Sequence, residues 1–128
     1  MILLLDTSTA VCRLVLVDTD TRSEYEWQAD RQLAKGLLGW LNDRLAESGR
    51  SWQDISAIGA YLGPGSFTGL RIGLTVVNTL ADSLAIPIVG TTGDSWQNEA
   101  IERLEKGEND RIALPFYGSD ANITTPKK

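Results

Sequence analysis

The stretch that decides the fold spans residues 55–90 and reads ISAIGAYLGPGSFTGLRIGLTVVNTLADSLAIPIVG. It holds an apolar run at 55–62, a glycine-rich loop at 63–69, a helical pattern from about 68 to 84 and a second apolar run at 86–90. A helix that crosses back over a sheet lets the strands before and after it lie parallel. This stretch therefore predicts an α/β fold.

Outward from this stretch, short apolar and alternating runs predict three more strands, joined by short turns as in an antiparallel meander. A helical period follows these strands, and another follows the second parallel strand. The added elements are strands at 2–5, 11–17 and 23–28, helices at 31–48 and 96–106, and an extended tail. The order βββαβαβα predicts a mixed five-stranded sheet with helices, divided into a lobe at 1–110 and a C-terminal tail at 111–128.

The composition excludes several classes of functional site. The chain has 128 residues, a length that suits one domain. Histidine is absent, which excludes His-based metal sites and Ser-His-Asp triads. The single cysteine, Cys12, excludes an internal disulfide and a multi-thiolate zinc site. The net charge of −5 argues against unaided binding of a nucleic-acid backbone. No apolar run approaches the roughly 20 residues that span a bilayer, so we expect a cytoplasmic protein without a membrane partner.

The polar turn Asp6-Thr7-Ser8 follows the first, aliphatic strand. Ligands of open α/β sheets bind at the carboxyl ends of such strands, and one carboxylate with two hydroxyls can hold a hydrated Mg²⁺ or a phosphate. The alternative is that Asp6 and Ser8 only satisfy the backbone of their own turn. Asp6, Thr7 and Ser8 are therefore the candidate cofactor-binding residues, and the sequence indicates no catalytic or metal-binding set.

The loop at 63–69 is a second candidate for anion binding. Ser66 or Thr68 can cap the following helix, and the N-terminus of a helix attracts anions. The loop is not a P-loop, because Leu70-Arg71 stands where a P-loop has Lys followed by Ser or Thr. A tight strand-to-helix turn explains its glycines equally well.

Both long helices carry a second apolar stripe beside the one expected to face the sheet. A helix that is apolar on two sides needs a second neighbour, and a protein partner is one way to supply it. The predicted interface residues are Leu33, Gly36, Trp40, Gly69, Gly73, Val76 and Leu80. The alternative is that the helices simply pack against each other and against the third helix.

Three stretches of the sequence resemble the TsaB (YeaZ) family, the dimerisation subunits of the bacterial tRNA threonylcarbamoyladenosine machinery. They are MILLLDTST at 1–9, GPGSFTGLRIGL at 63–74 and IPIVG at 86–90, and the second is the most specific. The element LPFY at 114–117 is also similar to the end of the family. The resemblance implies a single ribonuclease-H-like lobe of the actin and sugar-kinase (ASKHA) superfamily, in a naturally short form that lacks most of a second lobe.

The resemblance also implies a scaffold and not an enzyme. In this family the subunit binds the catalytic subunit TsaD as a heterodimer, with the first two helices of each subunit packed as a bundle. Together with the ATPase TsaE, the complex modifies the adenosine 3′ to the tRNA anticodon, so tRNA is an indirect partner. The chain is expected to require no cofactor of its own, because it lacks the lobe that carries the second phosphate loop. ATP or ADP at the boundary with TsaD is compatible with the resemblance.

Three alternatives stay open at the level of sequence. The first is a small ASKHA-type protein that binds or hydrolyses ATP through Asp6. The second is a ribonuclease-H-like nuclease, which needs several clustered carboxylates, although only Asp6 follows a suitable strand. The third is a homodimer that covers the same helices when TsaD is absent, since an apolar face does not name its partner.

Overall fold

A computed structural model describes residues 1–116 of the chain. The strands are β1 (Ile2–Asp6), β2 (Val11–Val17), β3 (Arg22–Gln28), β4 (Ala57–Tyr61) and β5 (Ile88–Thr91), and the helices are α1 (Leu33–Glu47), α2 (Phe67–Leu84) and α3 (Trp96–Glu105). The sheet has the order β3-β2-β1-β4-β5. The pairs β1–β2 and β2–β3 are antiparallel, whereas β1–β4 and β4–β5 are parallel. The predicted mixed five-stranded sheet is confirmed.

The sheet buries apolar side chains on both faces, because successive residues of a strand point to opposite sides. One face packs against α1 and α2 through a large cluster that includes Leu3, Leu5, Leu14, Ile58 and Ile88. The other face packs against α3 through Leu4, Val15, Val89, Trp96 and Ala100. The helices α1 and α2 therefore share one side of the sheet, and α3 covers the other.

Local signals define the ends of the helices closely. The Ser66 hydroxyl accepts a hydrogen bond from the Gly69 amide at 3.1 Å, as predicted for the start of α2. Gly49 has a φ of +75°, which suits the glycine that follows α1. A short 3-10 turn, Asp30–Gln32, precedes α1, so the observed helix begins at Leu33, two residues later than the predicted start at residue 31.

The residues after α3 close the outer edge of β5. The Asn109 side chain accepts from the Ile88 amide at 3.1 Å, and the Asp110 carboxylate accepts from the Gly90 amide at 2.9 Å. Arg103 of α3 forms ion pairs with Asp110 and Glu108. These side chains satisfy edge groups that another strand would otherwise pair.

The first part of the predicted tail lies along α2. The Asn78 side chain donates to the Ala113 carbonyl at 2.9 Å and accepts from the Ala113 amide at 2.8 Å. The Phe116 amide then donates to the Leu62 carbonyl at 2.7 Å. The rest of the tail, 117–128, lies outside the described residues, and so does Tyr117 of the family-like element. Within residues 1–116 no helix is both long and apolar enough to cross a membrane.

Candidate functional site

The turn after β1 uses its polar groups internally. The Ser8 amide donates to Asp6 Oδ1 at 2.8 Å, and the Thr7 hydroxyl donates to the Gly69 carbonyl at 2.7 Å. Thr7 and Ser8 are both buried, and the Ser66 amide donates to the Ser8 carbonyl at 2.7 Å. The hydroxyl of Thr7 and the amide of Ser8 thus already have partners within the chain, and the contact of Asp6, Thr7 and Ser8 with a phosphate stays a prediction.

The charge at this end of the sheet also disfavours a phosphate. Burial raises the pKa of Tyr61, and the nearby carboxylates of Asp6 and Asp94 raise it further. The phenol therefore stays protonated and donates to the Pro64 carbonyl at 3.2 Å. Two carboxylates act on this region, and like charges repel. A phosphate that carries no metal ion is therefore disfavoured at this end of the sheet.

The two glycines of α2 face the turn and not a partner. Gly69 and Gly73 are buried, and a Cβ at either position would overlap Thr7. Their role is to let α2 approach the backbone of the turn closely. On this side both glycines contact the chain itself, and their assignment to a partner interface stays a prediction.

Three predicted interface residues of α1 also pack against the chain itself. Leu33 is only 6% exposed and belongs to the core with Leu37 and Leu41. A Cβ on Gly36 would lie 2.8 Å from the Trp27 ring of β3. Trp40 stacks on Trp27 with the ring centroids 5.5 Å apart. Leu33 is a core residue, and Gly36 and Trp40 form a contact between α1 and the sheet. Their place in a partner interface stays a prediction.

The face that remains open is a groove between α1 and α2, of about 410 Å³. We call it the helix-pair groove, and it is lined by Ala34, Thr68, Arg71, Ile72, Thr75 and Val76. Of the seven predicted interface residues, Val76 lines this groove, and Leu80 lies half-buried one turn further along α2. A second groove of about 490 Å³ shares Ala34, Thr68 and Ile72 and extends the surface to Arg31. Leu33 and Gly69 of the predicted set line this second groove.

Large apolar side chains border the helix-pair groove. Leu38 and Phe67 are each 52% exposed. The Arg71 guanidinium lies over the Phe67 ring, 5.1 Å from its centroid, which is the geometry of a cation–π contact. A surface with exposed apolar residues and a polar rim is typical of a protein-binding site. Sequence reasoning missed Ala34, Leu38, Phe67 and Arg71, although the buried stripe at 33, 37, 41 and 45 places residues 34 and 38 on the flank of α1.

The single cysteine, Cys12, lies in β2 and is buried. Burial, together with the Asp6 carboxylate, raises the pKa of the Cys12 thiol to about 12. The thiol therefore stays protonated, and Cys12 is the small buried apolar residue that its strand predicts. Within residues 1–116 no three Asp, Glu, Cys or His side chains are placed to share a metal ion.

Comparisons with known proteins agree with the fold. The model of the family described as "TsaD: tRNA N6-adenosine threonylcarbamoyltransferase" matches residues 27–92. The tRNA threonylcarbamoyladenosine biosynthesis protein TsaB of Escherichia coli is 35% identical over 91 residues, which are 71% of this chain and 39% of the relative. The protein of the same description from Haemophilus influenzae is 31% identical over 108 residues, 84% of this chain and 46% of that relative.

A solved structure gives the same result. YeaZ from Pseudomonas aeruginosa aligns with a TM-score of 0.68 at 32% sequence identity, over 83% of this chain and 49% of that one. The chain thus spans less than half the length of each of these relatives. The family model, the curated relatives and the solved structure agree that the chain belongs to the TsaD-type family and, within it, to the TsaB (YeaZ) group.

Proposed function

We propose that the chain is a non-catalytic pairing subunit that binds TsaD through the helix-pair groove. In this role it supports the threonylcarbamoylation of the adenosine 3′ to the tRNA anticodon. The observation that carries the proposal is that α1 and α2 bury their inner sides against the sheet yet leave Ala34, Ile72 and Val76 on a groove that another helix can fill. Leu38, one turn beyond Ala34 on α1, is also exposed.

Several features support a scaffold in preference to an enzyme. The chain has no histidine, so it lacks the commonest general base and metal ligand. The β1 turn, which would hold a phosphate in a nucleotide-binding lobe, is closed by Thr7, Gly69 and Gly73. TsaD would therefore supply the catalytic groups, and this chain would supply a surface that binds and stabilises TsaD.

The relatives support the choice of partner and process. The curated relatives are TsaB proteins of tRNA threonylcarbamoyladenosine biosynthesis, and a tRNA N6-adenosine threonylcarbamoyltransferase of Aeropyrum pernix is 31% identical over 83 residues. In the proposed assembly TsaE joins the pair, tRNA binds through the complex, and any ATP or ADP lies at the boundary with TsaD.

Reconstitution of tRNA modification tests this function. TsaD and TsaE from the same genome are supplied with the substrates of the reaction and tRNA, with and without this chain. We expect the threonylcarbamoyladenosine content of the tRNA, measured by nucleoside mass spectrometry, to rise at least tenfold when the chain is added. Equal modification without the chain would contradict the proposal.

An ATPase acting through Asp6 is the alternative, and a single measurement distinguishes it. Purified chain is incubated with ATP and Mg²⁺, and phosphate release is compared between the wild type and Asp6→Ala. We expect no turnover that depends on Asp6, because Oδ1 of this carboxylate already accepts the Ser8 amide. ATP turnover that Asp6→Ala abolishes would contradict the scaffold proposal and support the ATPase.

A further inference from the structure

The outer edge of β5 is occupied by residues that follow α3. Within residues 1–116 no strand pairs with this edge. The carbonyls of Pro87 and Thr91 accept hydrogen bonds from the β4 side. Because successive residues of a strand turn their backbone groups to opposite edges, Ile88 and Gly90 turn theirs outward. An additional strand would have to pair with these outward groups.

All four outward groups already have a partner. The Ile88 amide donates to Asn109 Oδ1 at 3.1 Å, and the Ile88 carbonyl accepts from the Asp110 amide at 2.8 Å. The Gly90 amide donates to Asp110 Oδ2 at 2.9 Å, and the Gly90 carbonyl accepts from Arg103 Nη1 at 3.1 Å. We call residues 108–111 the edge strap. Together with Arg103, it makes the hydrogen bonds that a neighbouring strand would make.

The opposite edge of the sheet is protected in a different way. β3 carries exposed charged side chains at Arg22, Glu24 and Glu26, and charges of this kind disfavour the pairing of edge strands. β5 reads IVGT and carries no charge. Protection of the β5 edge therefore depends on the edge strap.

A second copy of β5, running antiparallel, has the groups that this edge needs. With the two-fold axis beside Val89, Ile88 lies opposite Gly90 of the second copy, and Gly90 lies opposite its Ile88. Two opposite residues whose groups face each other exchange two hydrogen bonds, so this pairing replaces all four that the strap and Arg103 make. It joins two five-stranded sheets into one, with the two-fold symmetry that is commonest among homodimers.

We propose that the edge strap is an autoinhibitory contact, which blocks the pairing of two copies of this chain through β5. The strap belongs to the same chain as the edge, so its effective concentration there exceeds that of a second copy in dilute solution. The edge strap contains no residue of the helix-pair groove. Its action therefore goes beyond the proposed function and does not depend on TsaD.

The strap can open while both of its ends stay in place. One end is Gly107, which follows α3 with a φ of +85°, and the other is Ala113, which is bonded to Asn78. Residues 108–112, between these ends, are all exposed. Arg111 has a φ of +70°, a left-handed value that is unfavourable for a residue with a side chain. Opening would relieve this strain and would take no side chain of the strap out of the core.

Removal of the strap's hydrogen bonds tests the proposal. The open-edge variant combines Arg103→Ala, Asn109→Ala and Asp110→Ala in the full chain, which frees three of the four outward groups. Every protein in the experiment also carries Ala34→Glu, which weakens association through the helix-pair groove. Sedimentation equilibrium measures the dimer Kd, and hydrogen exchange followed by NMR measures the protection of the outward amides of β5.

We expect the open-edge variant to dimerise with a Kd at least tenfold below that of the chain that carries Ala34→Glu alone. Where the dimer dominates, a tenfold rise in concentration should slow exchange of the Ile88 and Gly90 amides about threefold, because the monomer fraction falls with the square root of concentration. In the chain with the closed strap, exchange of these amides should not depend on concentration.

The matched control is Asp110→Asn. It removes the charge that pairs with Arg103 but keeps an oxygen that can accept from the Gly90 amide. Because this edge stays covered, the dimer Kd should lie within about threefold of the value for the closed strap. Association of Asp110→Asn as strong as that of the open-edge variant would contradict the assigned role of the hydrogen bonds.

Two further results would overturn the proposal. One is a folded open-edge variant that stays monomeric, and the other is a dimer in which exchange at Ile88 and Gly90 does not depend on concentration. If circular dichroism shows the open-edge variant to be unfolded, the double variant Asn109→Ala with Asp110→Ala replaces it, because Arg103 then remains. Exchange that does not depend on concentration in this double variant would overturn the proposal equally.

Discussion

Thr7 donates a hydrogen bond to the Gly69 carbonyl at 2.7 Å, and its side chain occupies the space over Gly73, where a Cβ would overlap it. This contact joins the end of the central strand to the first turns of α2, across more than sixty residues of sequence. It fixes the position of the helix that forms one wall of the helix-pair groove. It also uses the single donor hydrogen of the Thr7 hydroxyl.

The substitution Gly73→Ala should destabilise the protein. Its methyl group overlaps Thr7 in a tightly packed place, and overpacking of this kind typically costs about 1–3 kcal/mol. Urea unfolding followed by tryptophan fluorescence measures the change. The control is Gly39→Ala, at an exposed helical position without neighbours, which should stabilise the chain by up to about 1 kcal/mol.

A double-mutant cycle tests whether Thr7 is the cause. Thr7→Ala removes the two atoms nearest to the methyl group of Gly73→Ala, Oγ1 and Cγ2, and keeps only Cβ, at 2.9 Å. The double variant should therefore be more stable than the sum of the two single effects predicts. Strictly additive free energies of unfolding would show that the strain at Gly73 arises elsewhere.

Ala85 offers a stabilising substitution at the end of α2. Its φ of 57° and ψ of 47° place it in the left-handed region, which costs an L-residue about 1–2 kcal/mol. Because glycine adopts this conformation freely but loses more backbone entropy on folding, Ala85→Gly should raise the free energy of unfolding by about 0.5–1 kcal/mol. Ala46→Gly, inside α1, should lower it by a similar amount. Thermal and urea unfolding check both, and a loss of stability in Ala85→Gly would contradict the argument.

Asp110 should make stability depend on pH. Burial raises the pKa of this carboxyl, but hydrogen bonds from Arg103 and from the Gly90 amide outweigh burial, so that the folded-state pKa lies below its ordinary value. A lowered folded-state pKa contributes stability above the unfolded-state pKa of about 3.9, and this contribution is lost as the pH falls through the folded value.

The substitution Asp110→Asn isolates this contribution. It keeps an oxygen that can accept from the Gly90 amide and removes the charge that faces Arg103. Wild type should be more stable than the variant from pH 7 down to about pH 5, and the difference should shrink below about pH 4. Urea unfolding at each pH measures it, and a difference that grows on acidification would reverse the assigned sign.

The order and type of the elements follow from local sequence signals. The aliphatic run before Asp6, the alternation in β3 and the repeat of leucines in α1 each express a period that one segment carries by itself. The caps at Ser66 and Gly49 are local as well. These features were therefore predictable, and the structure bears them out.

The contacts of particular residues across the sheet were not predictable in the same way. A glycine stripe on a helix allows close approach by any backbone, and the pattern around Gly73 does not tell a second helix from the turn at Thr7. The sequence around Trp40 in α1 likewise does not indicate that this side chain stacks on Trp27 of β3. Such pairings depend on how the sheet and the helices are assembled, so the open surface became identifiable only once the buried sides of α1 and α2 were known.

The central claim is that the helix-pair groove binds TsaD, and isothermal titration calorimetry of the chain with TsaD from the same genome tests it most directly. Ala34→Glu places a charged side chain in the groove at an exposed helical position, and Asn98→Glu makes a matched change on α3, on the other side of the sheet. We expect saturable binding by wild type, at least tenfold weaker binding by Ala34→Glu, a change of about 1.4 kcal/mol or more, and unchanged binding by Asn98→Glu. No binding by wild type, or equal binding by all three proteins, would contradict the claim.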